Sequence, residues 1–284
     1  MSEQKGCQAP GAQQSKEAEQ KEIRETLDRI KHKIIVLSGK GGVGKSTIAV
    51  NLAAALSAGK QRVGLLDVDI HGPSVPKLLG LDGRRLATSV TGKLLPAEHG
   101  SGLKVISVGF LLDDMNTAVI WRGPLKYGII KQFIKDVTWG ELDYLIVDSP
   151  PGTGDEPLSV CQLMENPDGA VIVTTPQDVA VLDVRKSVSF CRQLGLPILG
   201  VIENMSGFVC PHCGKETPLF KTGGGKAMAE ELGVPFLGSV PIEPAIAHDA
   251  DAGRPFCGDA SCQSSPAQKS FNEIVGKIIK AAAK

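Results

Sequence analysis

Short apolar runs alternate with longer stretches of helical periodicity along most of the chain. Runs with the length and continuous apolar character of strands buried on both faces occur at 33–38, 61–67, 104–108, 142–148, 169–174, 197–203 and 235–240. Helical spacing of apolar residues occurs between them, at 45–58, 121–137, 179–194, 226–232 and 267–283. This alternation predicts βαβ units, and therefore an α/β fold with a doubly wound, mainly parallel sheet.

The same pattern predicts the extent of the domain. Residues 1–32 are polar and charged, with helical spacing only over 17–30, and predict a flexible N-terminal tail that enters a short helix. Residues 33–284 continue the alternation and predict a single domain. Within that domain, residues 80–102 hold Gly, Ser, Thr and Pro and predict an excursion from the sheet with room for a hairpin.

The first apolar run leads into a glycine-rich loop that fits the phosphate-binding pattern G-x-x-x-x-G-K-[ST], between a predicted strand and a predicted helix as the pattern requires. Its residues are Gly39, Lys40, Gly41, Gly42, Val43, Gly44, Lys45, Ser46 and Thr47. Glycines let successive backbone N–H groups face an anion, and the helix N-terminus adds its positive dipole end. We expect Lys45 to contact the β- and γ-phosphates of a nucleotide and Ser46 to bind Mg²⁺. A glycine-rich turn without a ligand is the alternative.

Two further predicted strands end in carboxylates. Asp67 and Asp69 follow one of them, and Asp148 ends the other. In a doubly wound sheet, ligands bind at the carboxyl ends of the strands, and the residues that contact them lie there. An apolar strand ending in Asp is the Walker B arrangement, so we expect Asp148 to hold Mg²⁺ through its water shell and residues 150–154 to sense the γ-phosphate. Asp67 is expected either to support Mg²⁺ through a water or to cap a turn.

Composition limits the partners and the compartment. The 284 residues include 31 basic and 31 acidic ones, so the net charge does not indicate a nucleic-acid partner. Only 4% of the residues are aromatic, which leaves few rings to stack on bases. The N-terminus has no apolar signal region, and no segment reaches the roughly 18 apolar residues that span a bilayer. We therefore expect a cytoplasmic protein without stable membrane association. An odd number of cysteines, seven, favours reduced thiols or metal ligands over a disulfide framework.

A cysteine pair follows the run at 197–203. Cys210 and Cys213 have C-x-x-C spacing with neighbouring Pro and Gly, which resembles a rubredoxin or zinc-ribbon turn whose two sulfurs face one metal. A redox pair is disfavoured because glycine and proline oppose a following helix, and idle thiols are a further alternative. Zinc or an iron–sulfur cluster normally takes four protein ligands. Either Cys257 and Cys262 complete the set, or, more simply, a symmetric dimer places two identical pairs opposite each other.

The remaining cysteines have simpler interpretations. Cys161 and Cys191 fall in predicted helices, where buried, inert thiols are common. Cys7 stands alone in the predicted tail, and one thiolate cannot hold a cluster. A free thiol is favoured there, and a contribution to an intermolecular site is the alternative.

Together the motifs resemble a known family. A second lysine in the loop, Lys40, makes K-G-G-V-G-K-S-T similar to the deviant Walker A loop of the MinD, ParA and nitrogenase iron-protein class of dimeric ATPases. Three more motifs follow in order: D-V-D-I-H-G-P-S at 67–74, D-S-P-P-G-T-G-D at 148–155, and C-P-x-C after N-M-S. With them, the chain from about Lys33 to about Pro255 resembles the Mrp/ApbC family of iron–sulfur cluster carrier ATPases.

This resemblance implies a P-loop NTPase fold of the deviant Walker A class and a homodimer with ATP sites at its interface. In such a protein Lys40 would contact nucleotide phosphates, in several members those bound by the partner subunit. Asp69 would orient the attacking water, and Asn204 would contact adenine. Because the pattern N-K-x-D that favours guanine is absent at Asn204, ATP is the expected nucleotide.

The resemblance also implies a cargo. Cys210 and Cys213 of both chains would bridge a labile [4Fe–4S] cluster, which the protein would hand to iron–sulfur apoproteins, with slow ATP hydrolysis coupled to the transfer. Eukaryotic cytosolic scaffold relatives carry four N-terminal cysteines, whereas this segment has only Cys7. A second, N-terminal cluster is therefore not expected.

Two alternatives use the same phosphate loop. A MinD- or ParA-like ATPase switch would bind a membrane or DNA, and the amphipathic stretch 271–280 could lie on lipid, although such a helix more often packs on its own domain. An ATPase dimer with a structural zinc would use the same cysteine pair. The pair favours a metal-binding dimer over a spatial regulator, but the sequence does not separate cluster from zinc.

Overall fold

The fold is described by a computed structural model that covers residues 10–112, 121, 123–210, 213–258 and 265–283. The helices are α1 (Pro10–Leu27), α2 (Lys45–Ala58), α3 (Val75–Leu78), α4 (Gly123–Lys135), α5 (Asp155–Leu163), α6 (Asp178–Gln193), α7 (Gly224–Glu231), α8 (Pro244–Asp251) and α9 (Pro266–Ala282). The strands are β1 (Ile30–Ser38), β2 (Val63–Asp67), β3 (Ala87–Thr88), β4 (Leu94–Leu95), β5 (Ala97–His99), β6 (Leu103–Ser107), β7 (Leu142–Asp148), β8 (Gly169–Thr174), β9 (Ile198–Val209), β10 (Glu216–Thr217) and β11 (Phe236–Ile242).

The main sheet is mostly parallel. Its parallel strands lie in the order β11, β9, β8, β1, β7, β2, β6. Antiparallel β5 extends it beside β6, and antiparallel β10 pairs with the end of β9. The chain winds away from β1 in both directions, so the carboxyl end of β1 lies at the point where the strand order reverses. This architecture confirms the predicted doubly wound α/β fold, and the short β3–β4 hairpin lies in the predicted excursion.

Helices cover both faces of the sheet. On β1, Ile34 and Val36 point into one core, which is completed by α2 and α9. Ile35 and Leu37 point into the other, which is completed by α1, α4, α5 and α6. All four side chains are at most 1% exposed. Both faces of the central strand are buried, which is why its sequence is continuously apolar rather than alternating.

The N-terminal boundary differs from the prediction. The helix α1 starts at Pro10, and β1 starts at Ile30, so a boundary at residue 32 falls inside the first strand. Ile23 and Leu27 are 3% and 2% exposed and pack in the core beside α4. Their burial makes the second half of this helix part of the domain. This packing was not predicted, because α1 contains few apolar residues. A narrow row of apolar side chains on one face is nevertheless enough to pack a helix on its neighbour.

The strand at 197–203 was predicted too short. β9 continues through Asn204 to Val209, because β11 pairs with it as far as Phe208 and β10 pairs with Phe208 and Val209. Met205 has a φ of 56°, and the pairing of β9 with β11 is irregular between Asn204 and Phe208. The polar Asn and the following Ser and Gly ended the apolar run in the sequence but do not end the hydrogen-bond ladder.

The amphipathic C-terminal helix packs on its own domain. Phe271, Ile274 and Ile278 of α9 are at most 1% exposed and lie in the core against β11 and α2. The apolar face considered for a lipid surface is thus covered by the sheet. Among the described residues, no helix has the length and apolar character needed to cross a bilayer.

Candidate nucleotide and cysteine sites

The phosphate loop joins β1 to α2 at the carboxyl edge of the sheet. Gly42 and Gly44 have φ of 80° and 82°, in the left-handed region that glycine adopts without strain. A Cβ on Gly44 would lie 2.2 Å from the Asn204 side-chain nitrogen. A Cβ on Gly39 would lie 2.4 Å from the backbone of Asp183 on α6. Glycine at 39 and 44 thus reflects close packing as well as backbone conformation.

A cavity of about 250 Å³ opens at this loop. It is lined by Ser38, Lys40, Gly41, Gly42, Gly44, Lys45, Ser46, Thr47, Asp69, Gly72, Ser74 and Pro151. The fold therefore brings the predicted loop residues and Asp69 to one concave surface. Val43, by contrast, is 2% exposed and lies in the core, and neither Val43 nor Gly39 lines the cavity.

Lys45 is held by carboxylates below the cavity. Its Nζ lies 2.5 Å from Oδ1 of Asp148 and 3.8 Å from Oδ2 of Asp69, and its side chain is 6% exposed. Nζ also lies 3.4 Å from the Ser46 hydroxyl. A buried ammonium needs such partners, because an unpaired charge in the interior is strongly destabilising. The lysine head group is thereby fixed at the floor of the phosphate site.

Asp67 and Asp148 are adjacent partners on the neighbouring strands β2 and β7. Asp67 is completely buried, and Oδ1 accepts the Asp69 N–H at 3.0 Å while Oδ2 accepts the Ser107 hydroxyl at 2.7 Å. Burial, and then the charge of Asp148, raises the pKa of Asp67 to about 8. Asp67 therefore orients the backbone of the Asp69 turn, and nothing in the sequence pointed to Ser107 as its partner.

Asp69 lies at the rim of the cavity. Its side chain is 14% exposed. Burial raises the pKa of Asp69, and the positive charge of Lys45 opposes that shift. A carboxylate at this position, hydrogen-bonded through the backbone to Asp67, can accept a hydrogen bond from a water in the cavity.

The donor set at this floor fits a hard divalent cation. Oδ2 of Asp148 is completely buried and has no hydrogen-bond partner among the described residues. Ser46 lines the cavity from the first turn of α2 and is half-buried. Mg²⁺ prefers carboxylate and hydroxyl oxygens together with phosphate oxygens and waters. The residues present are therefore suited to hold Mg²⁺ beside a polyphosphate.

The loop after β7 is tied directly to the phosphate loop. The Gly152 N–H donates to the Ser38 carbonyl at 2.8 Å, and the Ser38 hydroxyl donates to the Lys40 carbonyl at 2.9 Å. Lys40 itself is half-buried and lines the cavity. These bonds connect the segment predicted to sense the γ-phosphate with the segment predicted to bind it.

A second cavity, of about 490 Å³ and mostly apolar, adjoins the first. Gly44 and Thr47 line both cavities. Its other lining residues are Ile48, Asn204, Met205, Leu219, Phe220, Val240, Pro241, Ile242, Glu243, Ile246, Ala247, Ala250 and Phe256. The Asn204 amide donates to the Val43 carbonyl at 2.9 Å, which fixes Asn204 between the phosphate loop and this cavity. A planar apolar group attached to a polyphosphate fits such a site.

The cysteine pair lies on a hairpin formed by the end of β9 and by β10. The Cys210 N–H donates to the Lys215 carbonyl at 3.1 Å, and the Gly214 N–H donates to the Cys210 carbonyl at 2.8 Å. Gly214 has a φ of 68°, which favours glycine. Cys210 is half-buried and Cys213 is exposed. Backbone hydrogen bonds thus connect the two described ends of the turn that carries the cysteines.

Three other cysteines are described, and none of them belongs to this hairpin. Cys257 is buried in the core beside α2, where its N–H donates to the Asn51 side chain. Burial raises the pKa of Cys161 to about 11 and that of Cys191 to about 12, so both are protonated thiols in or beside the core. Cys7 and Cys262 lie outside the described residues. Within the described ranges, no group of three or more His, Cys, Asp or Glu side chains is placed to hold a metal ion.

A buried glutamate at the base of the hairpin was missed by sequence reasoning. Glu203 is 0% exposed, and its carboxylate accepts the N–H groups of Gly223 at 2.8 Å and Gly225 at 2.5 Å. It also accepts the Ser206 hydroxyl at 2.5 Å. The only signal for this role was an acidic residue within an otherwise apolar strand.

Comparisons with known proteins agree with this geometry. The ParA family model, described as NUBPL iron-transfer P-loop NTPase, matches residues 29–279. A Methanocaldococcus jannaschii protein named iron-sulfur cluster carrier protein is 51% identical over 257 residues, covering 90% of this chain and 87% of that protein. A nucleotide-binding protein from Archaeoglobus fulgidus, solved in complex with ADP and with cobalt found in it, is 39% identical. It superposes with a TM-score of 0.75, over 89% of this chain and 96% of that one.

More distant structures share the fold alone. The cell division ATPase MinD of Pyrococcus furiosus is 23% identical, with a TM-score of 0.63 over 88% of this chain and 99% of that one. The family match and the M. jannaschii relative confirm the resemblance that the sequence motifs indicated. The chain belongs to the ParA-type family of NUBPL iron-transfer P-loop NTPases.

Proposed function

We propose that the protein is an ATP-hydrolysing carrier that binds a labile [4Fe–4S] cluster between two copies of the chain and passes it to apoproteins. The observation that carries the proposal is the cysteine hairpin beside a complete phosphate loop on one edge of the sheet. One chain contributes Cys210 and Cys213, and a [4Fe–4S] cluster takes four ligands, so a two-fold pair of hairpins completes the set. The name of the M. jannaschii relative supports this cargo.

The nucleotide chemistry follows from the floor of the first cavity. In the proposed mechanism, the loop N–H groups and Lys45 hold the phosphates, and Lys45 offsets the charge that develops on them. Ser46 and Asp148 would hold Mg²⁺, which supplies further charge neutralisation when bound. Asp69 would orient the attacking water, and Lys40 would reach phosphates bound by the partner subunit. The apolar cavity at Asn204 would take the adenine.

The cluster chemistry makes demands on the compartment. Thiolates that bind and release a cluster must stay reduced, which the cytoplasm favours. We therefore place the proposed activity there. Slow ATP turnover suits a carrier, because each cycle needs to accompany only one transfer.

Anaerobic reconstitution with iron and sulfide tests the proposal. Measurement of iron and sulfide per chain, together with mass in solution, should give about two irons per chain on a dimer. Cys210→Ser and Cys213→Ser should each abolish cluster binding and retain ATP binding, whereas Cys161→Ser should behave as wild type. Four irons on a monomer would exclude a shared cluster. Zinc without iron or sulfide would favour a structural metal, and an apoprotein that stays inactive after incubation with loaded protein would exclude the carrier role.

A further inference from the structure

The nucleotide and cysteine sites share one structural element. We define the cysteine hairpin as residues 204–210 and 213–220. At its start, Asn204 and Met205 line the apolar cavity beside the phosphate loop, and at its end Leu219 and Phe220 line the same cavity. Cys210 and Cys213 lie between these two ends of the hairpin. Whatever occupies the cavity is therefore in contact with the element that carries the cysteines.

The base of the hairpin is fixed to the domain. Glu203 directly precedes the hairpin and accepts hydrogen bonds from the N–H groups of Gly223 and Gly225, which lie three and five residues after its last residue. The Ser206 hydroxyl adds a bond to the same carboxylate. Because both ends are anchored on one buried side chain, a displacement of Leu219 and Phe220 is transmitted to the part of the hairpin beyond the anchor.

Leu219 and Phe220 are the loosely packed wall of the cavity. They are 55% and 47% exposed, whereas Val240 and Phe256, which also line the cavity, are 1% and 9% exposed. An apolar ring in the cavity would remove Leu219 and Phe220 from water, which is favourable. Met205, which has a φ of 56°, lies at the start of the opposite arm of the hairpin and lines the same cavity. Occupancy of the cavity thus favours one orientation of the hairpin.

We propose that Leu219 and Phe220 couple nucleotide binding to cargo binding, with the nucleoside base in the cavity ordering the cysteine hairpin for its metal. This inference rests on the proposed function for the nature of the cargo. Ordering of the hairpin is needed by both ligands, so the ligand that binds second meets a prepared site. Coupling of this kind is reciprocal: the loaded protein binds the nucleotide more tightly by the same factor as the nucleotide tightens cargo binding.

The test compares two ligands of the phosphate loop. ADP carries a base, whereas inorganic tripolyphosphate fills the loop and leaves the apolar cavity empty. Titration of each, by calorimetry, into cluster-loaded and unloaded protein should show ADP binding at least about fivefold tighter to the loaded form. Tripolyphosphate should bind both forms equally. Equal ADP affinities, or the same ratio for tripolyphosphate, would overturn the proposal.

Substitutions locate the coupling. The double variant Leu219→Ala, Phe220→Ala should lose the ADP ratio while still taking up the cluster, because both side chains are largely exposed and neither is a ligand. Val90→Ala changes a fully exposed apolar residue near the β3–β4 hairpin and is the matched control. This variant should keep the wild-type ratio of ADP affinities. An unchanged ratio in the double variant would assign the coupling elsewhere and contradict the role of this wall.

A metal probe separates this proposal from the proposed function. Co²⁺ bound to thiolates absorbs strongly, so its uptake at Cys210 and Cys213 is followed by absorbance without any cluster. If reconstitution yields no cluster, the carrier function fails, and the ADP titration with and without Co²⁺ still measures the coupling. Co²⁺ that binds the cysteines with no effect on ADP affinity would refute the coupling alone.

Discussion

At the scale of single residues, the site depends on one buried cation. Lys45 lies 2.5 Å from Asp148, a carboxylate that is 0% exposed. Lys45→Ala should abolish ATP hydrolysis, because the phosphates lose their main protein cation. It should also lower the free energy of unfolding by about 3–5 kcal/mol, since Asp148 becomes an uncompensated buried charge. Phosphate release assays and urea unfolding measure the two effects.

A double variant separates the two effects of Lys45. Lys45→Ala combined with Asp148→Asn removes both charges, so stability should largely return while hydrolysis stays absent. If the double variant is as unstable as Lys45→Ala alone, the loss comes from packing of the lysine stem and not from the charge.

The glycines of the loop give a second residue-level prediction. Gly44→Ala places a Cβ 2.2 Å from the Asn204 amide and forces alanine to a φ near 82°. The left-handed conformation alone costs about 1–2 kcal/mol, and nucleotide affinity should fall with it. Gly41→Ala is the matched control for stability, because nothing lies within 4 Å of its Cβ. Equal melting temperatures for the two variants would show that the loop relaxes freely.

The pKa of Asp67 predicts a pH dependence. Because burial raises its pKa to about 8 in the folded protein, the folded state binds a proton there that the unfolded state has already lost. The contribution of Asp67 to stability is fully present below about pH 4 and is lost as the pH rises through about 8. In Asp67→Asn the amide oxygen can still accept the Asp69 N–H, and the amide nitrogen can donate to the Ser107 hydroxyl. This variant should flatten the decline in unfolding free energy between about pH 4 and 8, as measured by urea unfolding. A variant with the wild-type slope would refute this.

At the scale of elements, α1 is the clearest departure from a flexible tail. Ile23 is 3% exposed, and Glu19 forms an ion pair with Lys131 on α4. Ile23→Ala should lower the free energy of unfolding by about 2–5 kcal/mol through the cavity it leaves. Lys21→Ala, on the exposed side of the same helix, should change it by less than about 0.5 kcal/mol. Chemical unfolding of both decides whether the helix belongs to the cooperative unit, and equal small effects would make it peripheral.

Sequence patterns predicted the strands that have an uninterrupted apolar run. They did not predict the segments whose structure depends on pairing or packing with distant parts of the chain. The bounds of β7 and β8 agree with the prediction, since each strand contains a continuous run of buried apolar residues. The second half of β9 could not be predicted, because its ladder depends on β10 and β11 rather than on its own apolar residues. Likewise the G-K-S pattern placed Lys45 and Ser46. It did not reveal the bond from Ser107 to Asp67 or those from Gly223 and Gly225 to Glu203, because these donors lie 20 or more residues away in the chain.

At the scale of the whole molecule, the proposed cluster should require two intact chains. Dimers that contain one wild-type chain and one chain with Cys210→Ser and Cys213→Ser would offer only half of the ligands. Isolated through two different tags in the presence of a non-hydrolysable ATP analogue, such mixed dimers should contain no cluster. A cluster held within one chain would leave about half of the wild-type iron. Iron analysis of the mixed dimers distinguishes the two arrangements.

Because β1 lies at the centre of the sheet, the strands that pair with it are synthesised long after it during translation. The strand that leads into the phosphate loop pairs with β7 and β8, so its neighbours are complete only after residue 174 has been synthesised. β9 receives its outer neighbour β11 later still, and α9, which packs on both, ends at Ala282 of 284 residues. Such long-range pairing is slow compared with local contacts. Cys210 and Cys213 therefore leave the ribosome before β11 and α9 can support β9, so we expect the proposed cluster to be loaded only after α9 has been synthesised.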